Sequence, residues 1–117
     1  MLFDIQNERP ERLENFKGGE KYLSAKMHFD GATRILHGTL PAGATIGLHT
    51  HEDSCEVIYF LSGRGSVLFD GALTPVQAGQ CHYCPKGHSH SQHLVGLHGS
   101  VQRNISQRMV HRILRTI

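Results

Sequence analysis

The chain reads as an all-β domain, a sandwich or a barrel, on three observations. Turn signals recur at Gly18-Gly19, Asp30-Gly31, Pro41-Ala42-Gly43, Gly63-Arg64-Gly65, Asp70-Gly71, Gly79 and Pro85-Lys86-Gly87, and most gaps between them are strand-sized. The runs they bound are Lys21–His28, Thr33–Leu40, Thr45–His51, Cys55–Leu61, Ser66–Phe69, Gln80–Cys84 and Ser89–Val95, most of them rich in β-branched or aromatic residues. Two of the signals, Asp30-Gly31 and Asp70-Gly71, are hairpin steps, because glycine accepts positive φ at no steric cost.

The ends differ from this middle. Residues 4–20 are polar and mixed in charge, with Pro10 early, and read as a loose arm or a short helix. Residues 101–117 carry Arg103, Arg108, Arg112 and Arg115 and no acid. Their apolar positions, Val101, Ile105, Met109, Val110, Ile113, Leu114 and Ile117, fit a helix better than a strand. A basic amphipathic tail can serve a membrane surface or an acidic partner. The plainer reading is an element packed on the barrel or on a sister subunit with its arginines in water. The expected organisation is an arm over 1–20, a barrel domain over 21–100 and a tail, possible helix, over 101–117.

Composition narrows the function classes. At 117 residues the chain is one domain with a small core, which favours association with a second copy. A net charge of +2 is too mild to imply nucleic acid. No apolar run approaches a bilayer span and Met1–Ile5 lacks the pattern of a secretory signal, so a cytoplasmic location is expected. Three cysteines do not make a disulfide framework. Cys81-His82-Tyr83-Cys84 has redox spacing, yet on a strand residues three apart face opposite ways, so two ordinary strand cysteines are the better reading.

The densest chemistry is His49-Thr50-His51, Glu56 and His90. Three imidazoles and a carboxylate suit Fe, Mn, Co, Ni, Cu or Zn with open positions left for water or substrate. His49 and His51 project from one face of a strand, and Glu56 follows across a short loop. Glu52 is the rival carboxylate, but it directly follows His51 and belongs to that loop. Each of these residues alone has an ordinary structural explanation; their joint spacing does not.

From Gly43 five residues lead to His49, one to His51, four to Glu56 and six to Gly63. From Gly79 five lead to Pro85, one to Gly87, two to His90 and three to Leu94. The first series resembles the first motif of the cupin superfamily at every defined position. The second resembles its second motif except at Leu94, where the family usually has Asn. The resemblance, to a small single-domain cupin of the conserved-barrel type, spans residues 43–94. It implies a double-stranded β-helix, or jelly-roll, barrel with one divalent transition metal held by His49, His51, Glu56 and His90. With Leu94 in place of Asn, the turn after the second motif and the closing strand are not apparent in the sequence. Gly96-Leu97-His98-Gly99 offers one turn.

Around that set, His88 shares the parity of His90 and is a candidate proton donor or acceptor at the cavity mouth. Tyr83 is a second candidate for a catalytic proton donor or acceptor, and for the pocket wall. Parity from Glu56 turns Ile58 and Phe60 inward, as substrate contacts or simply as core. Parity from His90 turns Gln92 inward, where a buried amide needs partners and can bond a substrate oxygen. His28, His37, His82, His93, His98 and His111 read as surface or supporting residues. The resemblance implies a metalloenzyme acting on a small oxygenated molecule, of dioxygenase, isomerase or decarboxylase type. The alternative is a non-catalytic metal-containing module that binds or senses a small ligand. A homodimer is the expected assembly, with neither nucleic acid nor membrane as partner.

Overall fold

The computed structural model describes Leu2 and residues 4–29, 33–52, 54–93 and 106–115. Among the described residues, ten strands form two antiparallel sheets. They are β1 (Glu11–Glu14), β2 (Tyr22–Phe29), β3 (Thr33–Pro41), β4 (Thr45–Thr50), β5 (Ser54–Ser62), β6 (Arg64–Phe69), β7 (Ala72–Gln77), β8 (Cys81–Cys84), β9 (Ser89–His93) and β10 (Ser106–Arg115). One sheet has the order β1-β2-β3-β10-β5-β8 and the other β4-β9-β6-β7. Consecutive strands that change sheet, β3 to β4, β4 to β5, β5 to β6, β7 to β8 and β8 to β9, give the jelly-roll its double wall.

Local chemistry explains the joints. Asp70 and Gly71 both have positive φ, so β6 turns into β7 through a two-residue loop whose twist matches the strands. Pro75 sits inside β7, which is tolerated because β7 is an edge of its sheet. Alternation along β5 buries Glu56, Ile58 and Phe60 and leaves Tyr59 and Leu61 exposed. The core gathers Leu23, Ala25, Leu36, Leu40, Ala44, Ile46, Ile58, Phe60 and Val67.

Both ends depart from expectation. Instead of a loose arm or helix, the N-terminal stretch contains a strand, β1, that pairs antiparallel with β2 and is flanked by single 3₁₀ turns at Ile5–Asn7 and Phe16–Gly18. Ser106–Arg115 is a strand rather than a helix: it lies between β3 and β5 and pairs antiparallel with both. The tail therefore closes the sheet whose completion the sequence left open. A ladder on both edges outweighs a helical spacing of apolar residues, since strand preference is set by tertiary pairing more than by the segment itself. The Asp30-Gly31 turn, Leu94 and Gly96–Gly99 lie outside the described residues.

The stretch before β2 is seated tightly on β4. A Cβ at Gly47 would stand 1.9 Å from the carbonyl oxygen of Lys17, and one at Gly19 would stand 2.0 Å from that of Thr45. Only glycine permits this approach. The Thr45 amide donates to the Glu20 carbonyl at 3.1 Å, and the Glu20 amide donates to Thr45 Oγ1 at 2.7 Å.

Among the described residues no helix is long and apolar enough to cross a membrane. Cys81 is exposed while Cys55 and Cys84 are buried, and all three are free thiols. The strand disposition of β5 gives a direct expectation: Phe60→Ala lowers unfolding free energy by about 3–5 kcal/mol, whereas Leu73→Ser on β7, an exposed position, changes it by less than about 0.5 kcal/mol, as read by urea unfolding.

Candidate metal centre

Three strands from both sheets carry the site. His49 lies on β4 and is paired in register with His90 on β9, so two imidazoles face each other across adjacent strands. His51 follows the end of β4 and is fixed by the main chain: its amide donates to the His88 carbonyl at 3.2 Å and its carbonyl accepts from the Gly87 amide at 2.6 Å. Glu56 arrives from β5 in the opposite sheet. A register shift between Ile46 and His49 in the β4–β9 ladder bends the strand just before the first histidine.

The donor atoms converge. His90 Nε2 lies 2.9 Å from His51 Nε2 and 3.0 Å from His49 Nε2. Glu56 Oε2 is 2.6 Å from His51 Nε2, and Oε1 is 3.4 Å from His90 Nε2. All four ligand atoms fall within 4.8 Å of one another. Two nitrogens each about 2.1 Å from a common ion at a right angle are about 3.0 Å apart. The observed separations of 2.6 to 3.4 Å are of that order. His49 donates from Nδ1 to the Gly47 carbonyl at 2.7 Å, which leaves its Nε2 lone pair free for an ion. The residues present fit a divalent first-row metal.

Other residues singled out in the sequence fall into three groups. Ile58, Phe60 and Gln92 face the barrel interior and are buried with Glu56 and His90. His88 stays at the half-exposed rim, where its Nδ1 meets Asp70 Oδ2 at 2.5 Å and its ring stacks on Phe69. Tyr83 does not line the interior: it is 55% exposed and pairs with Val57 on the outer face. The ladder sets Cys84 opposite Glu56 and His82 opposite Ile58, so β8 turns His82 inward and Tyr83 outward. Glu52 is exposed, as its loop position implies.

His82 is the inward residue of β8. Its Nε2 is 2.9 Å from His90 Nδ1, on the opposite side of that ring from the donor cluster. Gln92 Nε2 is also 2.9 Å from the same nitrogen. A cavity of about 370 Å³, lined by residues of β6, β7 and β8 including Phe69 and Val76, reaches His82. No spacing rule in the sequence separates His82 from Tyr83; only the pairing of β8 with β5 does. A second grouping, His82, Cys84 and His90, shares His90 with the first. Burial pushes the Cys84 thiol up to about 11, which keeps it protonated and a poor ligand near neutral pH.

Burial also dominates at two imidazoles, His49 and His82. It lowers His49 to about 4, against the opposing pull of its bond to Gly47, and lowers His82 to about 4, with His90 adding to the effect. Both are neutral at pH 7. In the unfolded chain each returns to about 6.5, so between roughly pH 6.5 and 4 the unfolded state binds protons that the folded state refuses. Stability of the metal-stripped protein should therefore fall as pH drops through that window. The expected result is a lower melting temperature at pH 4.5 than at pH 7, with a smaller difference in His82→Phe. An equal difference in wild type and variant would remove His82 from this account.

Known proteins share both sequence and barrel. The model of the cupin domain matches residues 36–97. The chain is 34% identical over 88 residues to an oxalate-binding protein of Thermotoga maritima, covering 70% of this chain and 73% of that one. A crystal structure from Thermotoga maritima, described as a predicted oxalate decarboxylase, superposes with a TM-score of 0.85 at 25% identity, over 99% of this chain and 100% of its own. The cupin domain of Schizosaccharomyces pombe Cnp3 (TM-score 0.76, 12% identity, 99% and 74% covered) and KdgF from a Halomonas species (0.74, 14%, 99% and 94%) share the fold. More than half of its length matches the family model and its strands wind in the same two-sheet barrel: the chain belongs to the cupin family.

Proposed function

We propose that this protein binds a small oxygen-rich anion of the oxalate kind at one divalent transition metal held by His49, His51, Glu56 and His90. The convergence of these four side chains inside the barrel carries the reading. Similarity to an oxalate-binding protein supports the choice of ligand. Charge points the same way. With neutral imidazoles and one carboxylate, a divalent ion leaves the site one unit positive, in an interior where the low dielectric strengthens attraction for an anion. The ion, whether Fe, Mn, Co, Ni, Cu or Zn, supplies Lewis-acid polarisation of the ligand oxygens. The chain does the rest: Ile58 and Phe60 keep water from the inner wall, and Gly47 holds His49 in the ligating tautomer.

Turnover is the second reading. Its support is the paired His88 and Asp70 at the rim, where the carboxylate on Nδ1 leaves the other ring nitrogen to exchange a proton with a bound molecule. A reaction that moves a proton uses such a group; a binding or sensing module does not need one.

Elemental analysis of untagged protein beside His49→Ala/Glu56→Ala tests the site. Near-stoichiometric metal in the wild type and its loss in a folded double variant are expected. Calorimetric titration should then show oxalate binding to the loaded wild type and none after chelation. Absence of metal in the wild type, even after loading with each ion, would sink the proposal. Release of carbon dioxide or uptake of oxygen, diminished in His88→Ala, would move the protein from binding module to enzyme.

We also propose a homodimer. Tyr59, Leu61 and Tyr83 are 45%, 40% and 55% exposed on the outer face of the larger sheet beside its β8 edge. Aromatic side chains clustered on a surface favour burial against a partner. Sedimentation equilibrium should give twice the chain mass for the wild type and a monomer for Tyr59→Asp/Tyr83→Asp.

A further inference from the structure

The proton on His90 poses a problem that the geometry answers. A neutral imidazole has one N–H and one lone pair. To ligate through Nε2, His90 must carry its proton on Nδ1. That ring is fully buried, so the Nδ1–H requires an acceptor inside the protein. Among the described residues two atoms lie in reach, His82 Nε2 and Gln92 Nε2, each at 2.9 Å. The second is an amide nitrogen, which only donates, and it faces a nitrogen that must itself donate. Meanwhile Gln92 Oε1, also buried, has no hydrogen-bond partner among the described residues.

One half-turn of the Gln92 carboxamide sets an acceptor, Oε1, opposite that donor. The oxygen and the amide nitrogen have nearly the same shape, so exchanging them costs the packing almost nothing. We propose that Gln92 is a positioning residue. Its Oε1 accepts the Nδ1–H of His90 and so holds that histidine in the tautomer whose Nε2 faces His49, His51 and Glu56. His82, neutral and with its own proton on Nδ1, presents Nε2 as the second acceptor for the same hydrogen. This inference rests on the metal site proposed above and adds the supporting carboxamide that sets the fourth ligand. Supporting partners of this kind change metal affinity about 10- to 100-fold when removed.

The distinguishing substitution is Gln92→Glu. It keeps an oxygen where Gln92 has one and removes the amide donor. Gln92→Leu removes both. Zinc affinity would be measured by chelator competition for wild type and both variants, with folding checked by circular dichroism. The proposal expects Gln92→Leu to bind zinc about 10- to 100-fold more weakly and Gln92→Glu to bind at least as tightly as wild type. Two folded variants equally impaired would overturn it, because the donor would then be what matters. Long-range ¹⁵N–¹H correlation spectra of the wild type provide an independent readout that no variant can spoil by misfolding. They should show His90 protonated at Nδ1 before and after zinc is added, and protonation at Nε2 would overturn the inference. A wild type with the Nδ1 proton that nonetheless binds no zinc would leave Gln92 in this role and count against the metal site instead.

Discussion

A carboxylate closed off from water is the constraint on which this barrel turns. Glu56 is 1% exposed and its strand neighbours on the same face are Ile58 and Phe60. Such a charge is tolerated only when other groups converge on it. Three histidines do so from the facing sheet. His49 and His90 are aligned by the β4–β9 ladder, and His51 is pinned by the turn that precedes β9. The interior polar cluster and the two-sheet closure therefore depend on each other. The sheets must meet for Glu56 to find its partners, and those partners are what make a buried glutamate compatible with a packed core.

Division of the candidate ligands between the sheets has a further effect. A single strand can present residues two apart on one face, which suffices for His49 and His51 and for nothing more. The remaining donors must come from elements distant in sequence. That is why the site is as precise as the fold and no more so. It is also why the half-turn of one carboxamide, Gln92, matters: the sheets set ring positions, but hydrogen bonds set which ring nitrogen is free.

Much of this was legible in the sequence, for identifiable reasons. Turn residues and alternation located β2 to β6, β8 and β9, because glycine and period-two burial act locally. The spacing of His49, His51, Glu56 and His90 brought the candidate ligands together, because it follows strand parity and a family pattern. What the sequence hid depends on pairing. β1 has one half-buried residue, Leu13, among charged neighbours, and it is a strand only because β2 offers an edge. β7 contains a proline that only an edge position excuses. β10 carries a helical apolar spacing that two flanking strands override. Tyr83 and His82 were exchangeable until the β5–β8 register put Cys84 opposite Glu56. In each case the deciding contact is far away along the chain.

Gly47 is engaged from both sides. Its missing side chain makes room for the carbonyl of Lys17, and its own carbonyl holds His49 Nδ1. Seating of the N-terminal stretch and steadying of a ligand thus pass through one residue. Coupling of that sort is reciprocal as a matter of thermodynamics. Whatever an ion gains from a rigid His49, the N-terminal stretch gains in attachment when the ion is present. Chelation would then be felt first at residues 15–20, on the outside of the barrel, as faster amide exchange and easier proteolysis well away from the candidate ligand atoms.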